Sequence, residues 1–319
     1  MRRPALEARA AVQRAIRSYF HGAGFLEVET PTRVAAPGQE LHLDAFFAEG
    51  GRYLITSPEY HMKRLVAGGL PRIVQMGRAF RAGEVGPHHE PEFTIIEWYR
   101  ANEPLEAIAR DCEQILELAA KAVGRWPRVQ VPPGRRAIGG QANLDLDLAA
   151  PFERRTVCEV LRTHAGVEIT GLETAEHLRA KVLSAGHYLG TATAWDDVFF
   201  QLFIDAVEPH LGRTQPTFVF DWPLPLGALA RRKPNDEAFV ERFELYAGGL
   251  ELANAFGELT DPNEQRARFA AEASLREQRG KVVYPLDDKL LAALAVMPPT
   301  SGVALGFDRL MMLVLGAEQ

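Results

Sequence analysis

Three stretches of this chain carry side chains that could act together chemically. The first runs Gly77-Arg-Ala-Phe-Arg81 and continues as His88-His-Glu-Pro-Glu-Phe-Thr-Ile-Ile-Glu-Trp-Tyr99. Two-residue alternation puts Phe93, Ile95, Glu97 and Tyr99 on one strand face and Thr94, Ile96, Trp98 and Arg100 on the other. An acid and a phenol in phase on a mid-sheet strand are costly unless solvated or paired. This face is therefore either a polar pocket or an exposed sheet surface with a salt bridge to Arg81 or Arg78. The second stretch is Glu251-Leu-Ala-Asn-Ala-Phe-Gly-Glu258. Asn254, Phe256 and Glu258 share one face, an amide, an aromatic and an acid, which is the composition of a pocket. The opposite face is Ala253, Ala255 and Gly257, small enough for close packing beneath. Glu244 and Glu251 flank Gly248-Gly249, so a hairpin would bring two carboxylates near each other. With phosphate nearby such a pair suits Mg²⁺, a hard cation that takes oxygen ligands; otherwise they are two solvated glutamates at a turn tip. The third stretch, Gly302-Val-Ala-Leu-Gly-Phe-Asp-Arg309, reads as a strand-to-helix turn. Its glycines permit close backbone approach, and an arginine at a helix start can meet a phosphate.

The elements that must hold these residues follow from periodicity. Residues 5–21 predict an amphipathic helix with Leu6, Val12, Ile16, Tyr19 and Phe20 on one side, stopped by Gly22 and Gly24. An extended segment spans Phe25–Pro31, and short β-like runs recur at Tyr53–Thr56, Arg72–Met76 and Phe93–Tyr99. Leu105–Val123 is a helix. Residues 124–151 are rich in Gly, Pro and Arg without periodicity and read as a loop-rich connection. Residues 152–212 read as mainly helical, with Trp195, Phe199, Leu202, Phe203 and Val207 at helical spacing. Strand character returns at Thr217–Trp222 and through Arg242–Glu258, and Asp308–Gly316 closes as an apolar helix. Strands joined by loops, without regular βαβ alternation, predict an α+β fold: an antiparallel sheet flanked by helices, with a loop-rich and helical insertion at about 125–212.

Composition narrows the class of function. The chain has 319 residues, 36 basic and 42 acidic, hence a net charge of −6. That balance argues against a protein built mainly to grip nucleic-acid phosphates. Two cysteines, Cys112 and Cys158, make neither a disulfide framework nor a cysteine-rich metal site. Cys112 falls in phase with Leu105, Ile108, Ile115 and Leu116 and is expected to be buried. The longest uncharged run contains Pro298 and Pro299, which a membrane helix would not tolerate, and no apolar signal region opens the chain. A cytoplasmic protein is expected. There is no G-x-x-x-x-G-K-[ST], no G-x-G-x-x-G after a strand, no H-E-x-x-H and no C-x-x-C, so any ATP must be bound by an unrelated scaffold.

Together and in this order, the stretches resemble a class II aminoacyl-tRNA synthetase catalytic domain. Phe25–Pro31 is similar to the end of its first motif, Arg78–Tyr99 to its second and Gly302–Arg309 to its third. Within the class the wording is lysyl: Ser57-Pro-Glu59, Tyr60-His-Met-Lys-Arg64, Pro-Glu-Phe-Thr and Glu-Leu-Ala-Asn-Ala-Phe-Gly-Glu-Leu. The first motif begins within the first few dozen residues, so 1–319 is expected to be one catalytic domain without an anticodon-binding domain. In this the chain resembles the free-standing paralogues of lysyl-tRNA synthetase that modify elongation factor P. Ala304 stands where a lysyl-tRNA synthetase usually has Gly, and in the paralogues that alanine goes with preference for the β-amino isomer of lysine.

The resemblance implies roles. Arg81 would bind the amino acid carboxylate and the α-phosphate, Phe93 would stack on adenine, and Arg309 would cover the ring and the terminal phosphate. His89 would lie near the triphosphate, with Glu84, Glu90, Leu252 and Gly306 also at the ATP site. Glu244 and Glu251 would hold Mg²⁺. Glu59, beside Ser57, would face the amine next to the carboxyl group. Glu97, Tyr99, Asn254, Phe256 and Glu258 would form the end that accepts the ε-ammonium. The implied reaction is ATP-dependent activation of lysine or β-lysine and transfer to a lysine of elongation factor P, by a homodimer assembled through the first helix and Phe25–Pro31. Charging of tRNA would want a basic groove, which the composition does not supply. The chain departs from the class pattern at Gly83, usually Glu, with Glu84 next to it, and at Glu90, usually Asn.

Overall fold

The alternating stretches become strands of one sheet. The computed structural model describes residues 3–86, 88–131 and 143–317. Among these a nine-stranded sheet runs, in spatial order, Leu26–Glu27, Arg72–Phe80, Glu92–Ala101, Thr300–Gly306, Leu250–Gly257, Asp236–Ala247, Thr217–Pro223 and Glu153–Thr156, with Arg232–Lys233 paired on the side to Asp236–Ala247. Its centre is antiparallel, as expected. Only the outer pairs, Leu26–Glu27 with Arg72–Phe80 and Glu153–Thr156 with Thr217–Pro223, are parallel.

One face of this sheet is covered by helices. Trp98, Val74, Val303, Ala255 and Phe243 project into a core shared with Val12, Ile16 and Phe20 of helix Arg3–Gly22, with helix Leu105–Ala122, and with helix Phe307–Leu315. Cys112 is buried there. A polar knot stitches the layers: Asp111 accepts hydrogen bonds from Trp98 Nε1 at 2.9 Å, Arg100 Nε at 2.7 Å and the Tyr19 hydroxyl at 2.5 Å. The even-numbered face of Phe93–Tyr99 therefore belongs to the core, and Arg100 is buried with its charge neutralised.

The opposite face is left open over the central strands and carries the odd-numbered side chains of Phe93–Tyr99. Helix Glu59–Ala67 packs over its edge beside helices Pro262–Gln278 and Asp288–Leu294. The segment after the second motif forms a separate apolar cluster around Val198, Phe199, Phe203 and Trp222. This insertion contains helices Ala175–Ser184 and Trp195–Leu202, the second where the spacing of Trp195, Phe199 and Leu202 predicts it. The loop-rich expectation for 124–151 needs correction. Arg128–Val131 and Leu144–Asp147 pair as a two-stranded sheet, with Val129, Val131 and Leu146 buried. Four-residue alternations are too short to stand out among Gly, Pro and Arg. Residues 132–142 of the expected insertion, and Pro87 in the second motif, lie outside the described residues. Among the described residues no helix is long and apolar enough to cross a membrane.

Candidate active site

Strand register decides which polar side chains meet. Direct cross-strand partners point to the same face, so each register row is a row of neighbours. One row reads Gln75, Glu97, Ala304, Asn254 and Glu244 across five strands. The next reads Ile73, Tyr99, Gly302, Phe256 and Arg242. Ala304 thus stands between Glu97 and Asn254, with its methyl on the open face. Gly302 is required by its neighbours: a Cβ there would lie 2.3 Å from Tyr99 Cε1 and 2.5 Å from Glu258 Oε1.

Above these rows lies a cleft of about 1090 Å³. Ser57, Glu59, Arg81, Glu84, His89, Glu90, Phe93, Glu251, Leu252, Asn254, Phe256, Ala304, Gly306 and Arg309 all line it. Every site residue singled out in the sequence lies on this wall except four. Glu97, Tyr99 and Glu258 sit beneath the cleft floor, and Glu244 sits behind its wall.

The floor is an acidic nest around one lysine. Lys63, one turn after Glu59 on the same helix, is 1% exposed and lies 2.6 Å from Glu59 Oε1 and 2.6 Å from Glu258 Oε2. Two carboxylates hold its pKa above the usual lysine value against burial. Glu97 is equally buried; desolvation, then the charge of Glu59, pushes its carboxyl up to about 8. The Tyr99 hydroxyl donates to Glu97 Oε2 at 3.3 Å. Ser57 Oγ accepts the Glu59 backbone N–H at 3.0 Å, fixing the start of the helix that carries Glu59 and Lys63.

The other end is more open. Arg81 lies 5.0 Å from the Phe93 ring centroid and 3.7 Å from Glu84, and its Nε donates to the Thr56 carbonyl at 3.5 Å. Arg309 donates to the Glu251 carbonyl at 2.7 Å and to its carboxylate at 3.3 Å, and meets His89 Nε2 at 2.7 Å. Burial and the adjacent Arg309 charge lower the His89 pKa from its ordinary value, which favours the neutral ring. Asp308 anchors the helix start by accepting from Arg9 at 2.6 Å and from the Thr94 N–H at 2.7 Å. Two arginines and a histidine are donors of the kind that can meet phosphate oxygens, and an aromatic face stands beside them.

As a cation site the glutamates differ. Glu251 faces the cleft. Glu244 is bonded by Arg242 and the Tyr246 hydroxyl, and burial, followed by the nearby Glu251 charge, pushes it up to about 7 against the pull of Arg242. Glu251 fits a Mg²⁺ ligand as it stands; Glu244 would have to share its oxygens with Arg242. Glu244 is not the solvated turn-tip glutamate that the sequence also allowed, whereas Glu251 keeps a part-exposed side chain paired with Arg309.

Residues given no role in the sequence belong here too. Arg242 donates to Asn254 Oδ1 at 3.1 Å, orienting the amide, and stacks 4.4 Å from Trp222. Lys63 was visible only as the i+4 partner of Glu59, a spacing that places the two on one helix face. Its second partner, Glu258, lies 195 positions away along the chain, since 258 − 63 = 195, and no local pattern reports such a pair.

An antiparallel sheet with a helix-covered back, an open front and arginines at both motif ends is the class II aminoacyl-tRNA synthetase core. The sequence model of the class II tRNA synthetases (D, K and N) matches residues 2–319, and the chain belongs to this family, an ATP-using ligase family. Among curated proteins it is 38% identical to an elongation factor P–(R)-β-lysine ligase of Klebsiella pneumoniae over 99% of this chain and 92% of that protein. The proteins of the same name from Yersinia enterocolitica and Erwinia tasmaniensis are each 38% identical over 98% of this chain and 91% of theirs.

Proposed function

We propose that the chain activates a lysine isomer, (R)-β-lysine by preference, with ATP as an aminoacyl-adenylate and transfers it to a lysine side chain of elongation factor P. One observation carries the substrate class: Glu59 and Glu258 share the single ammonium of Lys63, and Glu97 is buried beneath the same floor within reach of the Glu59 charge. Such an excess of acid suits a ligand with two ammonium groups, and 38% identity to the named ligases over nearly the whole chain supports the reaction.

The substrate carboxylate is ionised near neutral pH, so activation needs no base. Arg81 would hold that carboxylate against the α-phosphate, and Arg309 with His89 would hold the triphosphate, so that attack and departure of pyrophosphate are in line. Glu251, with Glu244 behind it, would hold Mg²⁺, which supplies further neutralisation of phosphate charge. Phe93 would take the adenine face once Arg81 turns from the ring to the phosphate. The working form would be a homodimer joined through helix Arg3–Gly22 and Phe25–Pro31, where Leu6 and Leu26 are 55% and 52% exposed. The setting would be the cytoplasm, where the acceptor resides.

The test is a transfer assay with (R)-β-lysine, ATP and either elongation factor P or tRNA. The expected product is elongation factor P carrying one added lysyl group. Label that goes to tRNA alone would overturn the acceptor.

A further inference from the structure

The loop Gly38–Asp44 carries an acid that none of the motifs includes. Glu40 lines the same cleft, and its Oε2 is buried without a hydrogen-bond partner among the described residues. Its carboxylate leans on its own backbone N–H, with the Glu59 charge adding to burial in pushing it up to about 7 and Arg81 opposing. Glu40 therefore feels both the helix-borne acid of the floor and the arginine of the phosphate end. Space is reserved for it: a Cβ on Gly38 would lie 2.5 Å from Glu40 Oε2 and 2.8 Å from Thr56 Oγ1.

The loop has no regular secondary structure, yet its backbone is fastened on both sides of Glu40. Gln39 N–H donates to the Tyr60 hydroxyl at 3.1 Å, and Leu41 N–H to Glu272 Oε2 at 2.8 Å. The guanidinium of Arg276, itself 0% exposed, donates to the carbonyls of Glu40, Leu41 and Leu43 at 2.9, 3.3 and 3.0 Å. A carboxylate with one buried, unfilled acceptor oxygen, on a backbone held this firmly, is costly in the empty protein. A cationic ligand would remove that cost.

We infer that Glu40 is a substrate-binding residue that receives the ammonium nearest the carboxyl group of the amino acid, beside Glu59. The inference rests on the proposed lysine-activating function. Arg81 would fix the carboxylate, so an amine one or two carbons away must fall within a few ångströms of it. Glu59 is already ion-paired with Lys63, whereas Glu40 lines the same cleft and its Oε2 has no hydrogen-bond partner among the described residues. The terminal ammonium would lie at the other end of the substrate, with Glu97 and Glu258.

The test compares wild type, Glu40→Gln and Glu40→Ala in lysine-dependent ATP–pyrophosphate exchange. 6-Aminohexanoic acid, which lacks only the proximal amine, serves as a competitive inhibitor. The KM for β-lysine should rise roughly 10- to 100-fold in both variants, the range of a charge-assisted contact. The inhibition constant for 6-aminohexanoic acid should stay within about twofold, and the Tm of the ligand-free protein should be equal or higher. Equal losses for β-lysine and 6-aminohexanoic acid, an unchanged KM, or a lowered Tm with unchanged KM would overturn the role of Glu40. A wild type that supports exchange with neither lysine isomer would overturn the proposed function itself, so the two failures are distinct.

Discussion

The two ends of the cleft are built on opposite principles. At the acidic end Lys63, Glu97, Tyr99 and Glu258 are no more than 2% exposed, and their partners are other ionisable side chains held on a helix and on strands. At the phosphate end the side chains of Arg81, Glu84, Arg309 and Glu251 keep 26%, 27%, 23% and 37% of their surface, and their contacts are mutual and loose. A buried charge cluster is held in place by the fold and discriminates by what it leaves unpaired. A half-open set of arginines instead keeps the freedom to turn its guanidinium groups onto phosphate oxygens. On the proposed function, specificity would belong to the first end and the common chemistry to the second.

Breaking the acidic end should therefore cost stability, and breaking the phosphate end should not. Lys63→Met strands Glu59 and Glu258 without their cation and should destabilise the protein by about 3–5 kcal/mol, read by denaturant unfolding. Arg309→Met, at a half-exposed pair, should change it by less than about 1 kcal/mol while depressing exchange. The next largest effect belongs to Arg81→Ala, expected to cost about 2.7–4 kcal/mol of transition-state stabilisation with Tm unchanged. Arg81→Lys should also be severely impaired, because an ammonium does not reproduce a two-pronged contact. Near-normal exchange in either would remove Arg81 from the chemistry.

Smaller effects sharpen the contrast. Ala304 projects its methyl between Glu97 and Asn254, so Ala304→Gly should move the α-lysine to β-lysine ratio of kcat/KM toward α-lysine by about 1–3 kcal/mol. A ratio that stays fixed while stability changes would make Ala304 a packing residue only. The smallest effect is a pH trend. Burial holds the Glu97 proton to about 8, above the 4.5 of an ordinary glutamate, so the folded ligand-free protein binds more protons than the unfolded chain between those values. Its stability from this group is full below about 4.5 and declines as pH rises through about 8. Glu97→Gln should match wild type in acid and exceed it in Tm at about pH 9. A gap of the opposite sign would mean that Glu97 is ionised and paired in the empty pocket.

Strand phase made much of the site legible. Period-two alternation alone grouped Phe93 with Glu97 and Tyr99, and Asn254 with Phe256 and Glu258, because a pleated strand leaves no other choice of face. Helical spacing likewise gave the helices around Val12, Ile115 and Phe199. Alternation within a strand is silent about register between strands, so the row joining Glu97, Ala304 and Asn254 was reached only through resemblance. Side chains fixed by long-range pairing were hidden for the same reason. Arg242 reads as a charged residue in a strand until Glu244, Asn254 and Trp222 surround it. Glu40 sits in a loop whose shape is set by Arg276, 236 positions later.

The central claim is that the acidic end selects a doubly cationic amino acid while the phosphate end activates whatever carboxylate is delivered. Its most direct test is ATP–pyrophosphate exchange by the wild-type chain with (R)-β-lysine, α-lysine and 3-aminohexanoic acid, the analogue of β-lysine without its terminal amine. Exchange should be fastest with (R)-β-lysine, weaker with α-lysine, and lower by at least about 100-fold in kcat/KM with 3-aminohexanoic acid, since the buried acids would be left unpaired. Exchange with 3-aminohexanoic acid comparable to that with (R)-β-lysine would contradict the account.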